Sequence, residues 1–412
     1  MVDKNLFLHN LSVVAILKNE APYLKEWLDY HLLAGVDHFY LYDNESPDNQ
    51  AEVAKPYVEA GLVDYFRAPG KVMQIFVYND AVKRFKFQSR YMAFIDGDEF
   101  IYPKTNQGIA DVVEEILLPN ENAAALAVNW QIFGSNNLET ADYSRGVLER
   151  FTRRAPSDWT PDGYGNAHVK TILNPRKVDF LYNPHFAVYF EEFYAVNEIG
   201  GVVKGPFNNP VTVDRIAINH YYIKSREEYA KKTQRGRADV DFAMNAKNFD
   251  KKDHNEEFDD GILKYLVARD EMFSPEDINE KFERVSKNLI EKLKLYPSNK
   301  IVEDKLETAL TCRALSSYLL EKFPSEVACL RLCEELSLKA ILQSLKYEIN
   351  FAEAMLFIRE LPKLLKLPYP AVKEIRETAL QMISNMQDLM RFNNNKWKKF
   401  IELDYIKELL EE

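Results

Sequence analysis

The sequence predicts an α/β fold with a mostly parallel sheet, followed by an all-helical region. In the first 220 residues, short apolar, β-branched runs alternate with segments of helical spacing. This alternation is typical of strands joined by crossover helices. From residue 225 onward, β-branched runs become rare and charged, helix-favouring residues dominate. A chain of 412 residues is also too long for one ordinary core, so at least two domains are expected.

The first elements are marked by clear boundaries. Residues 11–17 form an apolar run typical of a buried strand, which ends at Asn19 and Glu20. Pro22 suits the first turn of a helix over residues 21–33. The same reasoning predicts, in order, a strand at 38–42, a helix through about residue 60, a strand at 62–67, a helix at 72–88 and a strand at 91–95.

The later part of the first region is less regular. Residues 134–166 contain Pro and Gly in a long loop, and loops of this length are usually functional. Strands are predicted at 123–133, 168–173, 187–193 and 211–219, and helices at 301–323, 325–351, 352–365 and 371–392. The predicted domains are therefore residues 1–240, a charge-rich linker at 241–260 and a helical domain at 261–412.

Composition limits the class of protein. Hydrophobic residues make up 46% of the chain and charged residues 28%, as in soluble globular proteins. The net charge of −11 argues against nucleic-acid binding through a basic surface. No run approaches ~18 apolar residues, and residues 1–10 lack the pattern of a signal peptide. Three cysteines fit a reducing compartment. We expect a cytoplasmic protein, with peripheral contact at the inner face of the membrane as a second option.

Acidic or polar side chains follow three of the predicted strands: Asn19–Glu20, Asp43, and Asp96–Glu99. Ligands of parallel sheets bind at the carboxyl ends of the strands, where these side chains would meet. Carboxylates there need a cationic partner. Asp96 and Asp98, separated by Gly97, suit a hard divalent cation that also holds phosphate. The alternative is an ordinary strand-to-turn junction, where Asp and Gly are common anyway.

A series of motifs runs through the first region of the chain. The motifs, in order, are VVAILKNE at 13–20, Trp27, His31, FYLYDN at 39–44, FIDGDEFI at 94–101, WQIFGS at 130–135, KTILNP at 170–175, NPH at 183–185 and INHYYIKS at 218–225. This series resembles the GT-A-fold glycosyltransferases. The resemblance is greatest to glycosyltransferase family 92, the former domain of unknown function 23, with its family-2-like relatives, and it covers about residues 10–240.

The resemblance implies roles for single residues. Asp96, Asp98 and His220 match a metal shell for Mn²⁺ or Mg²⁺, although His220 also fits a hydrogen-bonded core histidine. Trp130 fits either an acceptor platform or the core. Matches to nucleotide-sugar contacts are Asn19, Glu20, Asp43, Gln74, Asn79, Asp96, Lys224 and Ser225. Lys232 and Arg235 lie in a segment that either closes over the phosphates or is a solvated helix face.

The general base is open at this point. His185 belongs to a motif, and imidazole titrates near neutrality. Asp162 is the second candidate, because inverting enzymes of this fold commonly use an acid several dozen residues after the metal motif. Other acids fit loosely: Asp158, Glu191 and Glu192.

The resemblance implies a metal-dependent, inverting glycosyltransferase of polysaccharide biosynthesis. Its donor is expected to be a nucleotide-diphosphate-sugar, with a UDP-sugar favoured, and its acceptor a glycan or a lipid-linked glycan. One alternative is a metal-dependent phosphoester hydrolase or nucleotidyltransferase. Another is a non-catalytic scaffold with a relic sheet domain. The helical region is expected to oligomerise, bind a partner or dock on a membrane.

Overall fold

The computed structural model describes residues 2–235, 246–267, 276–295, 305–322, 327–345, 349–390 and 397–411. The chain divides into two compact units, one of residues His9–Ile278 and one of Met1–Leu8 with Asn279–Glu412. The first unit thus extends beyond the predicted limit at residue 240. The described part of the predicted linker, 246–260, belongs to this unit, and residues 241–245 lie outside the described residues.

Strands are concentrated in the first unit. They are β1 His9–Leu17, β2 His38–Asp43, β3 Val63–Arg67, β4 Ser89–Phe94, β5 Glu99–Pro103, β6 Ala123–Ile132, β7 Arg153–Arg154, β8 Val169–Leu173, β9 Val178–Asn183, β10 Phe186–Tyr189, β11 Tyr194–Val196, β12 Val202–Val203, β13 Ile216–His220 and β14 Glu257–Phe258.

Helices flank the sheet and make up the second unit. They are α1 Ala21–Leu33, α2 Gln50–Glu59, α3 Gln74–Phe85, α4 Ile109–Leu117, α5 Val147–Arg150, α6 Arg226–Arg235, α7 Phe249–Lys252, α8 Lys264–Val267, α9 Ile278–Leu295, α10 Lys305–Lys322, α11 Val327–Ser344, α12 Phe351–Leu364, α13 Ala371–Met390 and α14 Trp397–Glu411.

The main sheet has the order β12-β11-β6-β8-β4-β1-β2-β3, and β13 pairs with β6 and β5. β1 runs parallel to β2 and β4, and β2 runs parallel to β3. β8 lies antiparallel between β4 and β6, so β6 has the direction of β4. β13 is parallel to β6. The predicted α/β class, with a mostly parallel sheet followed by helices, is confirmed.

This topology brings the carboxyl ends of several strands to one edge of the sheet. The carboxyl ends of β1, β2, β4, β6 and β13 all lie at that edge, because the strands share one direction. β8 runs the other way and contributes its amino end there. Residues after five strands, and those beginning β8, therefore meet at one place.

The parallel strands are nearly continuous apolar runs because helices cover both faces of the sheet. Trp27 on α1 is 1% exposed and packs near Phe39 of β2, with ring centroids 5.5 Å apart. Its indole N–H donates to the Glu99 carbonyl at 2.8 Å. α1 is thereby attached to both β2 and the start of β5, which follows the Asp96–Asp98 turn.

The helical unit has its own apolar core, which includes Leu310, Leu319 and Phe357. A buried ion pair joins Arg313 of α10 to Glu360 of α12 at 3.0 Å. Among the described residues, no helix has the length and apolar character that a bilayer span requires. Oligomer formation, membrane contact and cellular location stay predictions. The side chains of residues 397–401 lie outside the described residues.

Replacing Trp27 by Ala tests how α1 is attached. We expect the free energy of unfolding to fall by about 3–5 kcal/mol, because the change opens a large cavity and removes a buried hydrogen bond. Urea denaturation followed by far-UV circular dichroism measures this. The control is Val58→Ala at a 40% exposed position of α2, expected to change stability by less than about 0.5 kcal/mol. Equal stability of the two variants would contradict this account of the core.

Candidate active site

The Asp96 carboxylate lies directly after β4 and has two polar partners. Gln74 at the start of α3 donates from Nε2 to Oδ1 at 2.6 Å. Lys170 of β8 donates from Nζ to Oδ2 at 2.9 Å. Burial alone would raise the pKa of Asp96, but the Lys170 ammonium outweighs it and holds the pKa below its usual value. Asp96 is therefore ionised and paired.

Asp98, two residues later, is 5% exposed and lies beside a second set of basic side chains. Lys232 of α6 donates from Nζ to Oδ2, and His220 Nε2 at the end of β13 lies 3.6 Å from Oδ1. Burial opposes the charge, but Lys232, His220 and Lys224 together hold the pKa of Asp98 well below its usual value. Lys232 is thus paired with Asp98, and the prediction of a solvated helix face is wrong for it.

Glu99 completes this acidic group and differs from the other two. It is fully buried, and its Oε2 accepts the Asp96 backbone N–H at 2.9 Å. Lys170 Nζ lies 3.4 Å away and favours the ionised form. Burial and the Asp96 charge outweigh that ion pair and raise the pKa of Glu99 to about 8. Lys170 therefore neutralises Asp96, and Glu99 is mostly protonated at neutral pH.

The ends of β1 and β2 are linked to each other. The Asn19 N–H donates to Ser46 Oγ at 3.1 Å, and the Ser46 N–H donates to Asp43 Oδ1 at 2.9 Å. Glu20 is 4% exposed and forms an ion pair with Arg235 of α6 at 2.5 Å. The structure thus brings the predicted donor-binding residues Asn19, Glu20 and Asp43 to the same edge as Asp96.

A close approach explains Gly97 in the acidic turn. A Cβ atom on Gly97 would lie 2.8 Å from Leu17 Cδ2 and 3.3 Å from Glu20 Cγ. The turn therefore packs directly on the end of β1, which brings Asp96 and Asp98 beside Glu20.

Two residues predicted to contact the nucleotide-sugar, Asn79 and Ser225, form hydrogen bonds with other parts of the fold. Asn79 of α3 donates from Nδ2 to the carbonyls of Ile75 and Leu181 and accepts the Leu181 N–H, so it joins α3 to β9. The Ser225 hydroxyl donates to Glu228 at 2.5 Å at the start of α6. Glu228 also pairs with buried Arg150 at 2.9 Å. Both side chains are engaged in holding helices, and their donor-binding role stays a prediction.

Lys224 and Asp162 lie in different surroundings. Lys224 is 5% exposed, and its ammonium lies 4.3 Å from the centroid of the Tyr23 ring. Its contribution to the low pKa of Asp98 places it within the charged cluster. Asp162 is exposed on the loop before β8, with φ +51°, and forms no hydrogen bond or ion pair with other described residues. The structure does not bring Asp162 to the cluster.

Trp130, near the end of β6, lies among three histidine rings. It stacks on His168 with centroids 4.6 Å apart, meets His185 edge-on at 5.1 Å and lies 4.3 Å from His220. His185 Nδ1 is 2.9 Å from the Val169 carbonyl, so Nδ1 carries the proton and Nε2 keeps its lone pair. Burial and nearby Lys170 lower the pKa of His185 to about 3, which leaves this imidazole neutral.

The side chains around Asp98 can be compared with the ligands that a divalent cation requires. Among the described residues, no three or more His, Cys, Asp or Glu side chains are arranged as a finished metal site. Two ligand atoms held at right angles and about 2.1 Å from a cation are about 3 Å apart. Asp98 Oδ1 and His220 Nε2 are 3.6 Å apart, so a small closure lets them share one ion. Carboxylate and imidazole suit Mn²⁺, and the residues present fit.

A family model described as Glycosyltransferase family 92 matches residues 13–260, more than half of the chain. The chain belongs to glycosyltransferase family 92. The predicted resemblance to this family is confirmed, and the mostly parallel sheet described above spans the matched region.

Curated relatives match parts of this family 92 chain. A family 92 protein of Ricinus communis is 25% identical over 228 residues, which are 55% of this chain and 38% of the relative. The galactan beta-1,4-galactosyltransferase GALS3 of Arabidopsis thaliana is 31% identical over 103 residues, 23% of this chain and 20% of the relative. The chain spans less than two fifths of the length of these relatives.

A solved structure also aligns with this family 92 chain. S. aureus TarS 1-349 in complex with UDP has 11% sequence identity and a TM-score of 0.32, and the alignment covers 81% of this chain and 89% of that chain.

Sequence reasoning assigned no role to Lys170 and left Lys232 and Arg235 undecided. Lys170 belongs to one of the motifs, but it lies near the start of β8, and only the antiparallel direction of β8 places it beside Asp96. Lys232 and Arg235 lie three residues apart on α6, which puts them on one helical face. The sequence shows this spacing directly. It does not show which acids the two side chains pair with.

Replacing Glu99 by Gln tests its protonation. Because the folded-state pKa is raised to about 8, the folded protein binds the proton more tightly than the unfolded chain between about pH 4.5 and 8. Glu99 therefore costs stability as pH rises, with a slope of up to about 1.4 kcal/mol per pH unit. Glu99→Gln keeps the shape without the charge, so we expect it to gain stability relative to wild type from pH 5 to 9.

Urea denaturation of both proteins at each pH measures this difference. Glu59→Gln on α2 is the control, because that carboxylate is exposed and its difference from wild type is expected to stay constant. A wild-type-minus-variant difference that does not change with pH would show that Glu99 is ionised in the folded protein.

Proposed function

We propose that this chain transfers a sugar from a nucleotide-diphosphate-sugar to a glycan acceptor. One observation carries the proposal: Lys170, Lys224, Lys232 and Arg235 converge on the acids at one edge of the sheet. Buried cations can stabilise the charge of a leaving diphosphate once phosphate oxygens replace their carboxylate partners. Membership of family 92 supports the reaction class.

The basic side chains have a chemical task in this reaction. Negative charge grows on the diphosphate as the bond from its terminal oxygen to the sugar breaks. Cations already fixed in a water-poor site stabilise that charge without reorganising during the step. Lys232 is well placed, because its helix lies next to Asp98 and its ammonium also contacts the Tyr222 carbonyl at 2.9 Å. Lys232 can exchange its carboxylate partner for a phosphate oxygen.

We further propose that the reaction needs Mn²⁺ or Mg²⁺. Asp98 and His220 would hold the ion, and Asp96 would assist through lone pairs that Gln74 and Lys170 leave open. A bound ion would supply further neutralisation of the diphosphate. Asp98 remains ionised for this purpose because its pKa is held low.

The acceptor would enter from the Trp130 side of the acids. There His185 presents Nε2 as a hydrogen-bond acceptor, since Nδ1 faces the Val169 carbonyl. A pKa of about 3 makes this imidazole a weak base. We therefore propose that His185 Nε2 orients the acceptor hydroxyl for attack on the face of the sugar opposite the diphosphate, which inverts the anomeric centre. The bond to the acceptor oxygen forms as the bond to the diphosphate breaks, and the hydroxyl proton, which becomes strongly acidic in this step, passes through Nε2 to water.

A UDP-sugar is the proposed donor, with UDP-galactose the first to test. Two relatives named galactan beta-1,4-galactosyltransferases support this choice, with 31% and 33% identity over about a quarter of the chain. The first acceptors to test are accordingly β-1,4-galacto-oligosaccharides, alongside other neutral glycans and lipid-linked glycans.

Asp98→Asn tests the proposed site. We expect transfer to fall at least about a hundredfold, because the variant loses the charge that balances Lys232 and holds the cation. Release of UDP from a panel of UDP-sugars with and without acceptor measures transfer. EDTA is expected to abolish it and Mn²⁺ to restore it, and circular dichroism checks the fold.

The matched control is Asp111→Asn, which changes an exposed carboxylate in the first turn of α4. Undiminished transfer in EDTA would refute metal dependence, and full activity of Asp98→Asn would refute the assignment of the site. Release of inorganic phosphate or pyrophosphate instead of UDP would favour a hydrolase or nucleotidyltransferase. Absence of any nucleotide-sugar binding would favour a scaffold.

His185→Ala and Asp162→Asn separate the two predicted catalytic residues. We expect His185→Ala to lower kcat/KM for transfer about tenfold or more, because the acceptor hydroxyl loses its orientation. Asp162→Asn is expected to stay within about twofold of wild type, as for an exposed surface change. Thermal stabilisation by UDP should be the same in both variants. A large loss in Asp162→Asn would instead identify Asp162 as the base.

A further inference from the structure

We propose that four rings form the binding site for the acceptor saccharide chain. These rings are Trp130, His168, Phe207 and Tyr164, referred to below as the aromatic row. This inference rests on the proposed function and adds three acceptor-binding residues, His168, Phe207 and Tyr164, that the sequence did not indicate. The ligand class is a neutral oligosaccharide longer than one sugar unit.

The rings of the aromatic row are in sequential contact. Trp130 stacks on His168 at 4.6 Å, and His168 meets Phe207 edge-on at 4.7 Å. Phe207 meets Tyr164 at 5.3 Å. At the inner end, Trp130 lies 4.3 Å from His220, which is itself beside Asp98. The row therefore starts at the proposed reaction centre and leads away from it.

Exposure increases along the same path. His220 is 5% exposed, whereas Phe207 is 36% and Tyr164 is 56% exposed. Trp130 and His168 are intermediate. A row that is buried at the charged cluster and open at its far end has the shape of a groove for a chain whose end reacts inside.

Buried asparagines hold the exposed end in place. Asn166 donates to the Pro156 carbonyl and accepts the Ile132 N–H at 2.9 Å, which ties the loop carrying Tyr164 to the end of β6. Asn208, next to Phe207, donates to Asn129 Oδ1 at 2.7 Å. Ordered, exposed aromatic rings on such supports are pre-organised, so less entropy is lost when a ligand binds.

The strand order separates this site from the nucleotide. Across β6-β8-β4-β1-β2, the aromatic row lies at β6 and β8, the acids follow β4, and Asp43 follows β2. Neighbouring strands are about 4.8 Å apart, so four steps from β6 to β2 span roughly 19 Å. A nucleotide-sugar that extends from Asp43 to Asp98 does not cover the aromatic row. The row is therefore available to the acceptor.

The chemistry of the aromatic row suits a sugar chain. A pyranose presents an apolar C–H face, which packs on aromatic rings, and a rim of hydroxyl groups. The His168 imidazole within the row supplies a neutral hydrogen-bonding partner. Burial keeps the pKa of His168 below its usual value, so the row carries no charge at neutral pH. A neutral saccharide is favoured over an anionic or cationic ligand.

The test compares Tyr164→Ala and Phe207→Ala with wild type in the full chain. An array of neutral galacto-, gluco-, xylo- and manno-oligosaccharides of one to six units selects the tightest series, and calorimetry measures Kd along it. Wild-type affinity is expected to rise with chain length. Each variant should weaken binding of the longer members roughly three- to tenfold and leave the shortest ones unchanged.

Two controls separate binding from folding. Tyr164→Phe keeps the ring and should bind like wild type. Phe258→Ala removes a 63% exposed phenylalanine of the same unit that has no ring contact with the aromatic row among the described residues, and it should also be unchanged.

The inference is overturned if wild type binds no member of the array, or if Tyr164→Ala and Phe207→Ala keep wild-type affinity for the longer oligosaccharides. Hydrolysis of the UDP-sugar donor without acceptor is measured in parallel. Donor turnover with unaltered saccharide binding would reject the aromatic row and leave the proposed function standing. Lack of donor binding by wild type would reject the proposed function itself.

Discussion

Three carboxylates at one edge of a β-sheet are compatible with a folded protein only because cationic groups are buried with them. Asp96 is paired with Lys170 and Asp98 with Lys232, while Glu99 stays largely protonated. Removing a partner from such a pair leaves an uncompensated buried charge, which is far more costly than losing a surface ion pair. The placement of β8 and α6 around β4 follows from this constraint.

The ion pairs that allow these acids to be buried also place cations where a ligand could bind them. Ammonium groups that neutralise carboxylates in the free protein are the groups that can neutralise a diphosphate. Asp98 is the clearest case, because the Lys232 ammonium and the His220 imidazole approach separate oxygens. Stability and the proposed chemistry therefore depend on the same balance of charges. The aromatic side of the site, built around Trp130, is uncharged and suits the proposed acceptor.

Much of the fold was predictable from local signals. β1, α1, β2 and β4 were expected within a few residues, because apolar runs and turn residues mark them directly. β5, α4 and β9 were not expected. β5 follows β4 after only four residues, so its apolar residues looked like a continuation of the acidic turn. Likewise, the paired roles of Asn79 and Ser225 depend on contacts with β9 and Glu228 that no local pattern reveals.

The sequence by itself determined the α/β class, many of the strands and helices and the position of the acids at strand ends, because these follow from local composition and spacing. The family followed from the order of the motifs. Only the tertiary structure decided which cations meet those acids. Lys170 lies 74 residues from Asp96 and Lys232 lies 134 residues from Asp98 along the chain. Electrostatic energy depends on separation in space and on burial, and both are set by strand direction and order rather than by sequence distance.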